Sequence, residues 1–282
     1  MRDGLFPSYS VCELGNFIPG DTKLLPKNTG HALFFGNFPI LNKRYMKFSP
    51  IIARSWACLC MGITALGSLA QDNLLSEQEK KDGWVLLFDG KNTSSWRTYQ
   101  NKPADSWEIR DGQLYCKKDG VKQRADLVTK KEYGDFELAI DWKVDAGANS
   151  GIIYRANEKQ GASYESGPEY QLIDDIGYPG KLEDWQKSGS DYDMHPPASV
   201  VSKPAGEYNH TVIIARGHHV EHWLNGVKVA EFEIASPDWK ERKAKSKWKD
   251  LPDWGTAPSG YICLQDHGGG IWFKNIRIRE LK

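Results

Sequence analysis

The chain has 282 residues, with 37 Lys+Arg balanced by 37 Asp+Glu. That neutrality excludes the strongly basic footprint of a nucleic-acid binder. No apolar run after residue 70 is long enough to cross a bilayer.

Residues 1–45 show no sustained period and no repeat. The next stretch, "MKFSPIIARSWACLCMGITALGSLA" from Met46 to Ala70, has the parts of a secretory signal peptide. Lys47 and Arg54 supply positive charge, Trp56 to Leu66 an apolar core, and Ser68-Leu69-Ala70 the small residues of a cleavage site. We therefore expect cleavage between Ala70 and Gln71 and a periplasmic or secreted protein. Because a signal peptide opens a chain, Met46 reads as the true start and residues 1–45 as a wrongly assigned extension; a disordered leader is the alternative. Removing residues 1–70 takes away 7 basic and 3 acidic side chains and leaves 30 and 34, a formal charge of −4. A lipid anchor at Cys58 or Cys60 is disfavoured by the residues before each.

Gln71 to Asp82, "QDNLLSEQEKKD", reads as a linker or one helical turn across 71–81, ahead of a domain over 82–282. Strand signals then recur between turn residues. "GWVLLFDG" is a first strand, and "SWEIRDGQLYCKKDG" a hairpin turning at Asp111-Gly112. From Phe136 to Val144, apolar Phe136, Leu138, Ile140 and Trp142 alternate with Glu137, Ala139, Asp141 and Lys143, as in a half-buried antiparallel strand. "NSGIIYRA" and "EYQLIDD" follow as a pair. Residues 176–204 form a long Gly-, Pro- and Asp-rich loop, of a length that is usually functional or disordered. "NHTVIIARGHHVEHWLNGVKVAEFEI" gives three strands turning at Arg216-Gly217 and Asn225-Gly226. "DWKERKAKSKWKDLPDW" is a basic, partly helical excursion whose lysines read as a solvated face. Two strands around a Gly-rich turn, "GYICLQDHGGGIWFKNIRIREL", close the chain. About a dozen short strands without a long amphipathic helix mean an all-β protein, two curved sheets packed face to face.

Side chains two apart on a strand share a face. That parity groups Gly151, Ile153 and Arg155; Glu169, Gln171 and Ile173; and Tyr261, Cys263, Gln265 and His267. Aligned, these strands make a polar surface of Arg155, Glu169, Gln171, Gln265 and His267 beside Tyr261. Such planar groups make directed hydrogen bonds suited to sugars. An Arg155–Glu169 structural pair with surface glutamines is the plainer alternative. Ten of the eleven tryptophans follow Ala70; they suit sugar rings or a sandwich core. Cys116 and Cys263 sit in strand-like runs, as a disulfide or as two buried thiols.

The segments "GWVLLFDGKNTSSW", "YGDFELAIDWKV", "NSGIIYR", "PEYQLID", "AGEYNH", "HWLNG" and "GYICLQDHGGGIWFKNIRI" resemble, in order and over nearly all of 82–282, the 3-keto-disaccharide hydrolase family. The resemblance implies a concanavalin/laminin-G-like jelly-roll sandwich, usually exported, acting on glycosides oxidised to a ketone at C3. It puts the family's polar face on Arg155, Glu169, Gln171, Gln265 and His267. Lys274 stands where the family usually has Arg, and Tyr208 where it usually has Trp. Lys274 lacks the planar guanidinium fork, which weakens a contact there.

A C3 ketone acidifies the C2 proton, so a base can remove it and the C1 glycosidic bond can leave by elimination, with water adding later. Glu169 and His267 are the candidates for the acid and base, in either order. Arg155 and Gln265 would stabilise charge on the C3 oxygen. Gln171 and Asp174 would orient hydroxyls, Tyr192 would cap the groove or donate a proton, and Tyr261 and Lys274 would contact substrate. Glu169, Gln171 and Asp174 also match, imperfectly, the E-x-D-x-x-E spacing of sandwich-type β-glucanases, so ordinary glycoside hydrolysis is a second reading. A non-catalytic carbohydrate-binding module is a third. No cofactor is expected. Asp141, Asp145, Asp174 and Asp175 offer oxygens to a divalent cation such as calcium, but no calcium loop or zinc spacing is present. His218, His219 and His222 read as surface histidines.

Overall fold

The computed structural model describes residues 71–282; the expected leader, signal peptide and cleavage site lie outside the described residues. Among the described residues, no helix is long and apolar enough to cross a membrane.

Among the described residues, thirteen strands build a concanavalin-like jelly-roll sandwich of two curved antiparallel sheets. They are β1 (Val85–Leu86), β2 (Trp96–Thr98), β3 (Trp107–Arg110), β4 (Gln113–Cys116), β5 (Leu127–Thr129), β6 (Phe136–Val144), β7 (Asn149–Ala156), β8 (Glu169–Ile173), β9 (Asn209–Arg216), β10 (His219–Leu224), β11 (Val227–Glu233), β12 (Tyr261–Leu264) and β13 (Ile271–Glu280). One sheet has eight strands, ordered β11-β10-β9-β6-β13-β4-β3, with β1 also on β13. The other has five, ordered β2-β5-β12-β7-β8.

The period-2 pattern places the core. Phe136, Leu138, Ile140 and Trp142 of β6 are fully buried, while Glu137, Asp141 and Lys143 are half-buried on the outer face. Opposite them, Ile152 and Tyr154 of β7, Tyr170 and Leu172 of β8, and Ile262 and Leu264 of β12 fill the same core. Each such side chain contributes about 1.5–3 kcal/mol by leaving water. Trp142 satisfies its indole N–H by donating to Thr211 Oγ1 at 2.8 Å.

The Asp111-Gly112 and Asn225-Gly226 pairs turn their hairpins with positive φ at both residues, as type I′ turns require. The β9–β10 turn falls on Gly217-His218, one residue beyond the expected Arg216-Gly217, because Arg216 stays paired with His219. Cys116 and Cys263 are buried free thiols, so no disulfide joins them. The expected linker holds one helical turn, α1 (Glu77–Lys81), capped by Ser76. It is not loose: Asn73 and Asn275 exchange backbone-to-side-chain bonds of 2.6 and 2.8 Å, and Asn73 Nδ2 donates to Gly112 O.

Two expectations, for His222 and Arg155, fail here for identifiable reasons. His222 is fully buried, not on the surface; it bonds Tyr154 Oη (3.0 Å) and Gly189 O (3.0 Å). Burial lowers its pKa to about 3 and keeps it neutral. In the basic excursion the lysines are exposed as expected, apart from half-buried Lys243, but its tryptophans are not. It contains helix α2 (Pro237–Lys245), and Trp239, Trp248 and Trp254 stack within it and are buried.

Arg155 leaves the polar face. Tyr261 pairs with Ala156 and Cys263 with Ile153, so Tyr154 and Arg155 together oppose Ile262. This is a β-bulge, with Arg155 at φ 51°. The extra residue breaks parity, and the guanidinium donates to Gly134 O (3.1 Å), Gly217 O (2.7 Å) and Asp135 Oδ1 (3.3 Å), tying the end of β7 to the other sheet. Replacing Arg155 by Met orphans these acceptors, and we expect a loss of about 2–5 kcal/mol in urea unfolding. Turnover per folded molecule should survive; unchanged stability with lost turnover would put Arg155 in the reaction.

Candidate active site

Gly151 is the floor of the site. The register places Gln171 across from Gly151 on one side, and Gln265 N donates to Gly151 O at 2.9 Å on the other. One row along, Cys263, Ile153 and Glu169 lie side by side. The Glu169 side chain leans over Gly151: a Cβ there would lie 2.3 Å from Glu169 Oε1. A glycine is therefore required by the carboxyl that covers it.

The long loop holds this arrangement. β8 is the edge of the five-stranded sheet, and an edge leaves backbone groups unpaired. Residues 189–192 run along it and pair with them. Gly189 N donates to Gln171 O (3.0 Å), Gln171 N to Ser190 O (3.1 Å), and Tyr192 N to Glu169 O (3.0 Å). Tyr192 is thereby fixed beside Glu169, edge-on to Trp185 at 5.2 Å. The tryptophan excursion docks on the same loop through Trp248 Nε1, which donates to Tyr192 O (3.3 Å), and on the connection between β7 and β8 through Trp254 Nε1, which donates to Tyr164 O (2.9 Å). It carries Lys247, whose Nζ lies 4.1 Å from the Tyr192 ring centroid and 4.2 Å from that of Trp248.

Enclosure sets the electrostatics. Glu169 is 4 % exposed. Burial pushes its pKa up to about 8; the Lys247 cation pulls it back, and the Asp126 and Asp191 carboxylates add to the rise. Crowding by the neighbouring rings lowers the Lys247 pKa although the residue is exposed, opposed by Glu169 and Asp193. Gln171 Nε2 donates to Gln186 O at 3.1 Å, but Gln171 Oε1 and Gln265 Oε1 are buried without a partner among the described residues. Two orphaned acceptors beside an acid are open to hydroxyl donors.

Glu169, Gln171, Gln265 and Tyr192 thus come together. The other expected residues do not join them. His267 is exposed beyond the end of β12, lining a 290 Å³ cavity with Lys118, Asp145, Asn149 and Tyr178. It lies two strands and two rows from Glu169, roughly 17 Å at the backbone by strand geometry. That is too far for an acid–base pair at one glycosidic bond. Asp174 spends both carboxylate oxygens on the N–H groups of Gly147 (2.8 Å), Ile176 (3.2 Å) and Gly177 (2.9 Å), anchoring a loop. Tyr261 stays on the outer face of the five-stranded sheet, but its ring lies under the Arg97 guanidinium at 4.9 Å. Lys274 is on the opposite sheet, paired with Asp72 (2.9 Å) and 4.4 Å from the Tyr208 ring centroid. The two departures from the family pattern, Lys274 and Tyr208, therefore touch each other rather than the site.

The carboxylates considered for a cation are scattered and engaged. Asp141 bonds His210 and Asn275, Asp145 accepts from Trp272, and Asp175 from Ser188 and Ser202. Among the described residues, ligand atoms converge within 4.8 Å at His219, Glu221 and Glu231. That group is on the eight-stranded sheet, where Lys228 already pairs with both glutamates. Sequence reasoning overlooked Lys247, Trp248, Trp185 and Tyr164; the aromatic-lysine alternation "KSKWK" was the available signal.

The family described as the 3-keto-alpha-glucoside-1,2-lyase-like domain matches residues 83–279. A protein of Bacteroides thetaiotaomicron named 3-keto-disaccharide hydrolase is 33 % identical over 230 residues, covering 71 % of this chain and 79 % of its own. Among solved structures, a candidate glycosyl hydrolase from Parabacteroides distasonis is 41 % identical with TM-score 0.70, covering 75 % of this chain and all of its own. A second from the same organism is 30 % identical with TM-score 0.54, covering 70 % and 99 %. The chain belongs to the 3-keto-alpha-glucoside-1,2-lyase-like family of glycoside-acting enzymes.

Proposed function

We propose that the chain cleaves 3-keto-glycosides, 3-keto-disaccharides among them, by elimination followed by hydration, with Glu169 as the base. The observation that carries this reading is a carboxyl buried on Gly151, with its pKa near 8, between two carboxamides with unpartnered oxygens. A base is most effective when its pKa lies near the working pH. The C2–H bond breaks, and the proton goes to the Glu169 carboxylate. The electron pair passes through the enolate to form C1=C2 and break the C1–O bond. The leaving oxygen then takes the proton from Glu169, which resets the base. Water added to the enone completes net hydrolysis. Gln171 and Gln265 accept sugar hydroxyls, and Tyr192 covers the ring.

Retaining hydrolysis would need a second free carboxyl about 5–5.5 Å away. Gln171 replaces one acid of that pattern, and Asp174 is committed to backbone, which weighs against the glucanase reading. The family match weighs against a binding module. The signal-like segment at 46–70 supports action outside the cytoplasm, and N-terminal sequencing of exported protein should begin at Gln71.

Incubation with a 3-keto-disaccharide and with its unoxidised parent tests the reaction. Release from the keto sugar alone, with transient ultraviolet absorbance of an enone, is expected; release from the parent would contradict it. Glu169→Gln should lower turnover by roughly 10²–10⁴. Gly151→Ala should lower it at least tenfold with the fold intact, because its Cβ displaces the carboxyl.

In wild type, kcat/KM should rise with pH through about 8, and a flat profile from pH 6 to 9 would remove Glu169 from the mechanism. Stability should move oppositely. With the folded pKa raised from 4.5 to about 8, the protonated carboxyl's contribution is complete below 4.5 and is lost as pH rises through 8. Glu169→Gln should therefore gain on wild type by about 1.4 kcal/mol per pH unit between those values. A pH-independent stability difference would contradict the shift.

A further inference from the structure

Two groups of opposite charge face the same space on the outer side of the five-stranded sheet without touching. Among the described residues, the Glu169 carboxyl accepts no hydrogen bond, Lys247 Nζ donates none, and no ion pair within 4.0 Å joins them. They are near enough for each to bias the other's protonation. Aromatic faces hold the ammonium in place, with ring centroids of Tyr192 at 4.1 Å, Trp248 at 4.2 Å and Tyr164 at 5.5 Å. The backbone of Lys247 is pinned as well, its N–H donating to Asp193 Oδ2 at 2.7 Å. Ring faces attract the charge but offer no oxygen acceptor. The result is a fixed ammonium with unspent donors beside a base.

We propose that Lys247 is a catalytic residue, donating from Nζ to the C3 oxygen of the keto sugar and holding the negative charge that collects there. This rests on the reading of Glu169 as the base. When the C2–H pair moves into C2=C3, the carbonyl π pair moves onto the C3 oxygen. That enolate needs a donor already held beside it, and Lys247, though exposed, has its Nζ fixed over the rings that flank Glu169. The residue types assign this role to Arg155 and Gln265; the Arg155 guanidinium is spent on Gly134, Gly217 and Asp135, and Gln265 is in the site but carries no charge. Lys247 is the cation the site retains near Glu169. The same ammonium, against the apolar rings, would orient the ketone before the proton leaves.

Lys247→Met keeps the aliphatic stem over the rings and removes the charge. With a 3-keto-disaccharide, we expect kcat to fall by roughly 10²–10³ and KM to change by less than about threefold. The pH limb should also move above about 8. Glu169 is faced by Lys247 from the excursion, Asp126 from the segment entering β5, Asp191 from the long loop, and the hydroxyls of Tyr164 and Tyr192. Lys247 is the one that pulls its pKa down. In Lys247→Ala, added methylammonium should restore part of kcat, which a packing role would not permit. Wild-type kcat in the folded Met variant, or a rise in KM alone with an unmoved limb, would overturn the proposal. Failure of the wild-type protein to act on the 3-keto-disaccharide would instead overturn the base assignment and this proposal with it.

Discussion

The site depends on the pairing of residues 189–192 with the open edge of β8. An unpaired edge strand beside an acidic residue would be wet, and Glu169 would then be an ordinary surface carboxylate. Instead the loop satisfies the edge, Tyr192 is fixed beside Glu169, and Trp248, one of three stacked tryptophans of the excursion, docks on the loop. Glu169 is buried by contacts that are themselves structural. The raised pKa of Glu169 follows from that enclosure, and Lys247 arrives with the segment that completes it. A buried acid whose ionised form opposes folding is poorly explained by stability alone, and perturbed groups of this kind concentrate at functional sites.

The two sheets divide the labour. The outer face of the five-stranded sheet gathers Glu169, Gln171 and Gln265 around a glycine floor. On the eight-stranded sheet, charged side chains are spent on one another and on rings: Lys274 on Asp72 and Tyr208, Arg279 on Glu137, Asp141 on His210 and Asn275. The substitution of Lys and Tyr for the family's usual Arg and Trp at 274 and 208 forms one cation–π contact on that side.

Much of the fold was legible in the residues. β6 announces itself by strict alternation, and two hairpins by Asp-Gly and Asn-Gly. The grouping of Glu169, Gln171 and Gln265 follows from parity on β8 and β12, because both strands are regular there. What parity could not show is where regularity stops. One residue at positive φ turned Arg155 to the other sheet, and the end of β12 carried His267 away along the face. Nor does parity say which sheet a strand joins, so Lys274 was expected at a site on the other side. Lys247 was hidden differently. A lysine run looks solvated by composition, and only the tertiary stacking of Trp239, Trp248 and Trp254 sets one of its members, itself exposed, against the rings of Tyr192 and Trp248.

The central claim is that the C2 proton leaves to Glu169 before or as the glycosidic bond breaks. The most direct measurement compares turnover of a 3-keto-disaccharide bearing hydrogen or deuterium at C2 under subsaturating conditions. The account predicts slower cleavage of the deuterated sugar, with a primary isotope effect on kcat/KM. Equal rates, in a protein that releases both sugars without an enone, would mean direct displacement at C1 and would contradict the assignment of Glu169 as the base.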